Sequence, residues 1–347
     1  MKTYRIAAIP GDGIGDEVIP AGIEVLERAA DGFQLEFTHF DWNSKRYVET
    51  GQYIPEGGLE RLKSFDAIFF GAVGAPDVPD HVSLWGLRLP ICQGYDQYAN
   101  VRPARVLPGV PSPLKNGAQI DWVIVRENTE GEYSGAGGRV HMGLSNEVAV
   151  EVSTFTRSGV ERIHRFAFEL ARKRPRRHLT LVTKSNAQRH GMVLWDEIFY
   201  AVAKDFPDVK TDRVLVDAMT TRMVLNPAAI DSVVASNLHA DILSDLAAAL
   251  SGSLGIAPTA NLNPERKFPS MFEPIHGSAF DITGKGVANP IATFWTASLM
   301  LEHLGEARTA GRIMRAIEKV TAQKIFTPDL GGNARTRDVT QAVLAAL

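Results

Sequence analysis

The stretch IPGDGIGDEVIPAG, residues 9–22, decides how the amino-terminal part of the chain is interpreted. It follows an apolar run and precedes a helical pattern, as the phosphate-binding turn of a Rossmann unit does. Gly11 and Gly13 match the fingerprint G-x-G-x-x-G, but Asp16 stands where the last glycine would allow close helix–strand packing. Asp41 only loosely matches the acid expected about 20 residues further on. These residues leave two interpretations open: a divergent dinucleotide turn, or a tight turn of another kind.

The composition is typical of a globular protein with an ample apolar core. The chain has 347 residues, enough for two domains or one large one, with 45% hydrophobic and 22% charged residues. A net charge of −3 gives no indication of a nucleic-acid or anionic-membrane partner. Cys92 is the only cysteine, which excludes an intramolecular disulfide and a thiolate-rich metal site. No apolar run approaches ~20 residues, and the first glycine comes too early for a signal peptide, so we expect a cytoplasmic protein.

Short β-rich runs alternate with longer helical patterns along the chain. Helices are predicted for VERIHRFAFELARKR and SNLHADILSDLAAAL, whose apolar residues recur at three- and four-residue spacing. The predicted strands are YRIAAI, QLEFTHF, DAIFFGAVG, WVIVREN, HLTLVTKS, RVLVDAM and SVVASN. This alternation predicts an α/β fold with mixed sheets.

The segment NEVAVEVSTFT, residues 146–156, departs from this pattern. Apolar and polar residues alternate in it and no crossover helix is close, so it is predicted to be an antiparallel arm. Such an arm pairs with a partner subunit or forms an ordinary hairpin at a sheet edge, and the sequence leaves both open.

Three acidic residues have the chemistry of a divalent-metal site. Asp241 and Asp245 are four residues apart in a predicted helix, so their side chains share one face and repel each other unless a cation lies between them. Their hard oxygen ligands suit Mg²⁺ or Mn²⁺. Asp217 ends the predicted strand RVLVD, where α/β sheets place ligands. A solvated helix face with an unrelated aspartate remains the alternative.

A phosphotransferase that uses these aspartates for Mg²⁺–phosphate is an alternative of another class. Its phosphate loop would have to lie near AFDITGKGV, where Gly284 and Lys285 fit the motif. Ala279 and Gly286 replace its first glycine and its hydroxyl residue. The incomplete loop disfavours this alternative.

Several side chains beside turns and strand ends suit carboxylate binding and proton transfer. Arg88, Arg102 and Arg126 can bind a carboxylate through two hydrogen bonds, and Arg126 follows a run that should be buried. Tyr133 lies among glycines just after RENTEGE. Lys184 follows an apolar strand, so desolvation would lower its pKa and make it a usable base. A structural ion pair is the alternative role for this lysine.

The motifs PGDGIGDEV, LR with YANVRP, RENTEGEYSG, TKSNA, VDAM, NLHADILSDLAA and FEPIHGSAFDITGKGVANP occur in this order along the chain. The last two are long and specific. Together the motifs resemble the isocitrate/3-isopropylmalate dehydrogenase family of β-decarboxylating dehydrogenases, essentially from end to end. The resemblance implies an α/β two-domain fold with mixed sheets, which is not a Rossmann fold.

The family resemblance also implies the domain organisation and a homodimer. One discontinuous domain on the cofactor side would comprise residues 1–98 and 252–347, and a central domain, residues 99–251, would supply the dimer interface and the arm. The active site would lie in the cleft between them. Lys184 and Asp217 would come from the neighbouring subunit, so that the two copies share their active sites.

The resemblance further implies NAD binding on HGSAFDITGKGVAN. Asp281 would accept hydrogen bonds from the adenosine ribose hydroxyls, Asn289 would face the adenine, and GDGIGD would be a tight turn that brings Ile14 against the base. The implied cofactor-binding residues are Ile14, Glu273, His276, Gly277, Ser278, Ala279, Asp281 and Asn289.

The chemistry that the resemblance implies starts from Mn²⁺ or Mg²⁺ held by Asp217, Asp241 and Asp245, with Asp217 also at the substrate. The metal would chelate the substrate's 2-hydroxyl and adjacent carboxylate. Lys184 would take the hydroxyl proton as hydride leaves for NAD⁺, and Tyr133 would protonate the enol after loss of CO₂. The other substrate carboxylate would be bound by Arg88, Arg102 and Arg126.

Two departures from the family pattern predict the substrate. His81 stands where isopropylmalate enzymes carry an acid, and Trp85 stands where they carry a leucine. The serine and asparagine by which isocitrate enzymes hold a third carboxylate are absent too. A bulky Trp85 should shrink the pocket, so D-malate and tartrate are predicted to fit. A 3-isopropylmalate dehydrogenase with an unusual pocket is the alternative, and a monovalent-cation requirement and any oligomer beyond a dimer stay open.

Overall fold

The computed structural model describes residues 2–115 and 120–347. The chain forms two compact units. The terminal unit comprises Met1–Gln97, Arg105–Ala118 and Ala248–Leu347, and the central unit comprises Tyr98–Ala104 and Gln119–Ala247. The domain limits given by the sequence stay a prediction, and they differ from these units mainly at Arg105–Ala118, which belongs to the terminal unit.

The strands are β1 (Lys2–Gly11), β2 (Phe33–His39), β3 (Ala67–Ala72), β4 (Ala99–Arg105), β5 (Asp121–Glu127), β6 (Gly137–Val140), β7 (Val148–Glu151), β8 (His178–Thr183), β9 (Lys210–Leu215), β10 (Ser232–Ala235), β11 (Pro258–Leu262) and β12 (Ser270–Pro274). The helices are α1 (Gly15–Ala29), α2 (Ser44–Thr50), α3 (Gly58–Leu62), α4 (Asp80–Ser83), α5 (Leu89–Gly94), α6 (Arg157–Lys173), α7 (Gly191–Ala203), α8 (Val216–Leu225), α9 (Asn237–Ser251), α10 (Ile291–Leu304), α11 (Ala307–Ala322) and α12 (Thr336–Ala346). Among the described residues, none of these helices has both the length and the apolarity needed to cross a membrane.

The terminal unit is built on strands in the order β2-β1-β3-β12-β11. All neighbours are parallel except β11 and β12, which run antiparallel with Thr259 opposite Glu273. The strand β3 is buried at every position, as expected for a parallel strand covered on both faces. The helix α10 packs against this sheet and is buried along nearly its whole length. The antiparallel pair makes the sheet mixed, as the sequence predicts.

The glycines of residues 9–22 allow close backbone contact. Gly11 and Gly13 both have positive φ angles, of 75° and 62°. A Cβ at Gly13 would lie 2.0 Å from the carbonyl oxygen of Ser278, and one at Gly11 would lie 1.9 Å from that of Ala72. Side chains are therefore excluded at both positions, and Gly13 lies against the loop that contains Ser278.

Between these glycines, Asp12 binds the protein itself. Its buried carboxylate accepts hydrogen bonds from the backbone N–H and hydroxyl of Ser44, each at 2.7 Å, and from the backbone N–H of Gly74 at 2.9 Å. The carboxylate of Asp12 thus lies in this turn, whereas a Rossmann turn binds the pyrophosphate of its cofactor. It is a tight strand–helix turn of another kind.

The central unit is built on strands in the order β4-β5-β10-β8-β9. The strands from β5 to β9 are parallel to their neighbours, and α6 packs on β5, β10 and β8. The predicted strand RVLVDAM is too long, because β9 ends at Leu215 and α8 begins at Val216. Asp217 therefore lies in the first turn of a helix, where the helix dipole favours an acidic residue, and does not end a strand.

The predicted arm is a two-stranded antiparallel sheet. The strand β7 pairs with β6, with Val148 opposite Val140, and it is shorter than the predicted segment 146–156. Both strands are exposed along their whole length. Met142 and Leu144 in the connecting turn are also largely exposed. A two-stranded ribbon with exposed apolar side chains is marginal alone and is typical of a surface that pairs with another chain.

Candidate active site

Two carboxylates lie one turn apart on α9. The side chains of Asp241 and Asp245 are 35% and 57% exposed, whereas Leu243 and Ser244 between them are buried. The pKa of Asp245 is raised by partial burial and by the neighbouring charge of Asp241, and Arg102 opposes the shift. The helix therefore presents two hard anionic ligands on one accessible face, as the spacing predicts.

Two buried arginines contact the first of these carboxylates. Arg102, on β4, donates from Nη1 to Asp241 Oδ1 at 3.2 Å and to Ser244 Oγ at 2.5 Å. Arg126, on β5, forms an ion pair with the same oxygen of Asp241, and its other nitrogens donate to Asn237 Oδ1 at 3.0 and 2.6 Å. The neighbouring strands β4 and β5 thus direct both cations to the start of α9. The apolar run before Arg126 is buried, as predicted, and Arg126 itself is buried as well.

Tyr133 belongs to the same cluster. Its hydroxyl donates to Asp241 Oδ2 at 3.2 Å, and the guanidinium carbon of Arg126 lies 5.2 Å from the centre of its ring. Tyr133 is placed by a single 3₁₀ turn after Gly131, whose φ of 75° favours glycine. The central unit therefore brings a phenol, two arginines and a carboxylate together.

Glu127 fixes the start of the loop that leads to Tyr133, and sequence reasoning missed it. Its fully buried carboxylate accepts hydrogen bonds from the backbone N–H and hydroxyl of Thr129 and, at 2.6 Å, from the backbone N–H of Glu130. Burial raises the pKa of Glu127 to about 7, although these hydrogen bonds oppose the shift. An acid next to an arginine at the end of a buried strand was the signal in the sequence.

The raised pKa predicts a pH-dependent stability. The folded protein binds a proton at Glu127 up to about pH 7, whereas the unfolded glutamate titrates near 4.5. This contribution to stability is complete below the lower pKa and is lost as the pH rises through the higher one. Compared with Glu127→Gln, the wild-type free energy of unfolding should fall by about 3 kcal/mol over this range, as measured by denaturant unfolding at several pH values. A difference that stays constant with pH would refute the assignment.

Lys184 and Asp217 form a pair in the central unit. The ammonium of Lys184, just after β8, contacts Asp217 Oδ1 and lowers the pKa of that carboxyl. Within residues 2–115 and 120–347 of a single chain, no three His, Cys, Asp or Glu side chains are grouped to hold a metal. Asp217 is thus not gathered with Asp241 and Asp245 in one copy. The contribution of Lys184 and Asp217 to a neighbouring subunit stays a prediction.

In the terminal unit, Arg88 is held by a buried acid. It ends a π-helical turn, Leu84–Arg88, and donates from Nε to Glu273 Oε1 at 2.8 Å. Asn261 donates to the same oxygen at 2.7 Å. Trp85, in the same turn, is 41% exposed, whereas Leu87 is fully buried, so the indole is not a core residue. His81 on α4 is exposed.

The terminal unit also contains a cavity of about 650 Å³. Five of the predicted cofactor residues line it, namely Ile14, His276, Ala279, Asp281 and Asn289. Glu273, Gly277 and Ser278 are not among the lining residues; Glu273 binds Arg88, and the Ser278 carbonyl accepts from the backbone N–H of Ile14 at 2.8 Å. Sequence reasoning missed Ser253, Gly255 and Asp329, which also line the cavity.

Comparison with known proteins identifies the family. The family model described as isocitrate/isopropylmalate dehydrogenase matches residues 5–343. An isocitrate dehydrogenase from Methylococcus capsulatus, of known crystal structure, is similar with a TM-score of 0.90 and 35% identity, covering 99% of each chain. The fold class predicted from the motifs is therefore confirmed.

Curated relatives match along almost the entire chain. A probable tartrate dehydrogenase/decarboxylase of Agrobacterium vitis is 66% identical over 352 residues, covering 100% of this chain and 98% of its own. The D-malate dehydrogenase (decarboxylating) of Escherichia coli K12 is 53% identical, covering 99% and 98%. The tartrate dehydrogenase/decarboxylase of Pseudomonas putida is 52% identical, covering 98% and 97%. With its motifs, its fold and these matches, the chain belongs to the isocitrate/isopropylmalate dehydrogenase family.

Proposed function

We propose that the protein catalyses the NAD- and Mn²⁺- or Mg²⁺-dependent oxidation, and oxidative decarboxylation, of D-malate and tartrate. The cluster of Arg102, Arg126 and Tyr133 around Asp241 carries the proposal, because it combines carboxylate-binding cations with a proton donor beside a metal-type ligand. The names of the relatives at 52–66% identity support the same substrates. A panel of 2-hydroxy diacids, assayed for NADH formation, tests it.

The donor set suits a hard divalent cation. Asp241 and Asp245 offer carboxylate oxygens from one accessible helix face, and Mg²⁺ and Mn²⁺ prefer such ligands with water and substrate completing the shell. Asp217 would add a third carboxylate from a second copy of the chain. When bound, the metal would acidify the substrate's 2-hydroxyl and NAD⁺ would accept the hydride. Whether a monovalent cation is also needed stays open.

The chain's own residues would bind substrate and move protons. The guanidinium groups of Arg102 and Arg126 would bind one substrate carboxylate, and the motif assigns Arg88 to the same role. Lys184, from the second copy, would take the proton of the 2-hydroxyl in its neutral amine form. Tyr133 would donate its hydroxyl proton to C3 after CO₂ has left.

The cavity of the terminal unit suits the adenosine part of NAD. It has the volume of a typical ligand pocket, apolar side chains such as Ile14 to contact a base, and the carboxylate of Asp281 to accept hydrogen bonds from ribose hydroxyls. A carboxylate at that position also repels a 2′-phosphate.

We therefore expect a strong preference for NAD⁺ over NADP⁺. The kcat/KM value with NAD⁺ should exceed that with NADP⁺ by about a hundredfold or more, the size of two to three kcal/mol of charge repulsion. Asp281→Asn should narrow the ratio mainly by improving the reaction with NADP⁺. Equal values for the two cofactors in the wild type would contradict the assignment of Asp281.

The presence of Trp85 favours D-malate and tartrate as substrates over 3-isopropylmalate, which is the alternative within the family. Its large ring is available to form a pocket wall, since 41% of the residue is exposed. Packed sites tolerate added volume poorly, at a cost of about 1–3 kcal/mol. D-malate and tartrate carry only H or OH at C3, so they need none of the space that an isopropyl group requires.

Trp85→Leu should accordingly raise kcat/KM for 3-isopropylmalate by about tenfold and change that for D-malate little. The gain should be partial, because His81 also differs from the acid of isopropylmalate enzymes. Steady-state kinetics on both substrates measures it. An equal change for the two would show that Trp85 does not select the substrate.

We also propose a homodimer with shared active sites, located in the cytoplasm. The exposed β6–β7 sheet, with Val148, Val150, Met142 and Leu144 on its surface, supports pairing with a second copy. Light scattering of the full chain tests the dimer. Mixing catalytically impaired variants of Lys184 and Asp245 tests the sharing, since hybrid dimers would regain one intact site.

A further inference from the structure

Beside Asn289, the cavity of the terminal unit is lined by an acidic residue, Asp329, to which the proposed function gives no role. Asp329 lies in the turn after Thr327 and lines the cavity with Asn289, Ser253 and Gly255. Its Oδ2 accepts hydrogen bonds from Ser253 Oγ at 2.5 Å and from Asn289 Nδ2 at 3.0 Å, and its Oδ1 accepts one from Thr327 Oγ1 at 2.5 Å. One carboxylate thus ties together three separate chain segments.

The contacts of Asn289 fix the direction of its amide. Its Oδ1 accepts a hydrogen bond from the backbone N–H of Ile291, at the start of α10, at 3.0 Å. Its Nδ2 donates to Asp329. Because one end of the amide must be an acceptor and the other a donor, the two contacts exclude a flipped amide. Nδ2 carries a second hydrogen, which a ligand in the cavity can accept.

Gly255 leaves space for the side chains of Asp329 and Asn289 because it has no Cβ. A Cβ added to Gly255 would lie 2.6 Å from Asp329 Oδ2 and 2.9 Å from the Cβ of Asn289. The backbone N–H of Gly255 donates to Ser253 Oγ at 2.9 Å, so the serine donates its own hydrogen to Asp329. The donor and the acceptor are therefore known for each hydrogen bond that links Gly255, Ser253, Asp329 and Asn289. The last member of this series is the amide of Asn289.

We infer that Asp329 is a positioning residue for nucleotide binding: it holds the Asn289 amide so that an N–H is directed to a ring nitrogen of the adenine. This inference rests on the proposed cofactor site. Asp329 acts through Asn289 and through hydrogen-bond acceptance. The adenine does not contact the charge of Asp329. An amide at position 329 should therefore hold the Asn289 side chain nearly as well as the carboxylate does.

Isothermal titration of the full-length protein with NAD⁺ and with AMP tests the inference. Asn289→Ala and Asp329→Ala should each weaken AMP binding by about tenfold, the effect of losing one well-placed hydrogen bond. The double variant should be no weaker than either single variant, because both remove the same contact. Asp329→Asn should stay within about threefold of the wild type, and the exposed Glu56→Ala serves as the control.

The results of this titration distinguish failure of the inference about Asp329 from failure of the proposed cofactor site. Asp329→Ala weakening AMP binding equally in the wild-type and the Asn289→Ala background would overturn the inference, since Asp329 would then act independently. If Asp329→Ala does not fold, Gly255→Ala, whose methyl group would press on both side chains, should weaken AMP binding only while Asn289 is present. Equal weakening in both backgrounds would again overturn it. A wild type that binds neither NAD⁺ nor AMP would instead refute the proposed cofactor site.

Discussion

Tyr133→Phe should decarboxylate oxaloacetate at least about a hundredfold more slowly than the wild type, while still reducing it with NADH at a comparable rate. The substitution keeps the ring beside Arg126 and removes only the hydroxyl that donates to Asp241 at 3.2 Å. Loss of a positioned proton donor typically costs 10²–10⁴-fold in the step that it serves. Hydride transfer needs the other proton carrier, Lys184, and should be spared.

The two partial reactions can be followed separately, by pyruvate formation without NADH and by loss of NADH absorbance. Tyr200→Phe is a matched control, because Tyr200 is half exposed on α7 and outside the cluster around Asp241. It should leave both reactions unchanged. Equal losses in the two reactions of Tyr133→Phe would mean that the roles of Tyr133 and Lys184 are misassigned.

Asp245→Asn should raise the Mn²⁺ concentration needed for half-maximal activity by at least about tenfold. The amide keeps the shape of the side chain and removes a hard anionic ligand. The fold should tolerate the change, since this side chain is 57% exposed and its nearest cation, Arg102, is 4.0 Å away and also bonded to Asp241 and Ser244. Activity measured across a Mn²⁺ titration gives the shift.

Asp205→Asn is the matched control for this experiment. Its side chain is 56% exposed and pairs with Arg165 on α6, so it removes an equally exposed charge from the same unit. Its Mn²⁺ titration should coincide with that of the wild type. An Asp245→Asn titration that also coincides would exclude Asp245 as a ligand.

Local sequence patterns predict most of the helices and strands but few of the residues at which they begin and end. The helix α9 and the buried strand β3 carry strong periodic or apolar patterns, and both are present. The strand RVLVDAM was predicted too long, because an apolar run does not show where extended backbone turns into a helix. The antiparallel pair β11–β12 was missed, since its buried asparagine and glutamate side chains do not have a strand-like pattern.

Motifs named the candidate residues, but their contacts depend on the tertiary fold. Arg102, Arg126 and Tyr133 were predicted from separate segments, and no spacing indicates that all three bond to Asp241. The role of Gly13 likewise depends on Ser278, which lies far along the chain. The partners of Glu127 and Asp329 are backbone N–H groups, hydroxyls and the amide of Asn289, which leave no pattern in a single sequence. The position of Glu127 beside an arginine at the end of a buried strand is the one signal for either acid.

The most direct test of the proposed function is the ratio of kcat/KM for D-malate to that for 3-isopropylmalate, measured with the wild-type protein, NAD⁺ and Mn²⁺. A pocket narrowed by Trp85 predicts a ratio of at least about ten in favour of D-malate, with tartrate also oxidised. The increase in NADH absorbance measures both substrates under identical conditions. A wild type that prefers 3-isopropylmalate would contradict the assignment to D-malate and tartrate.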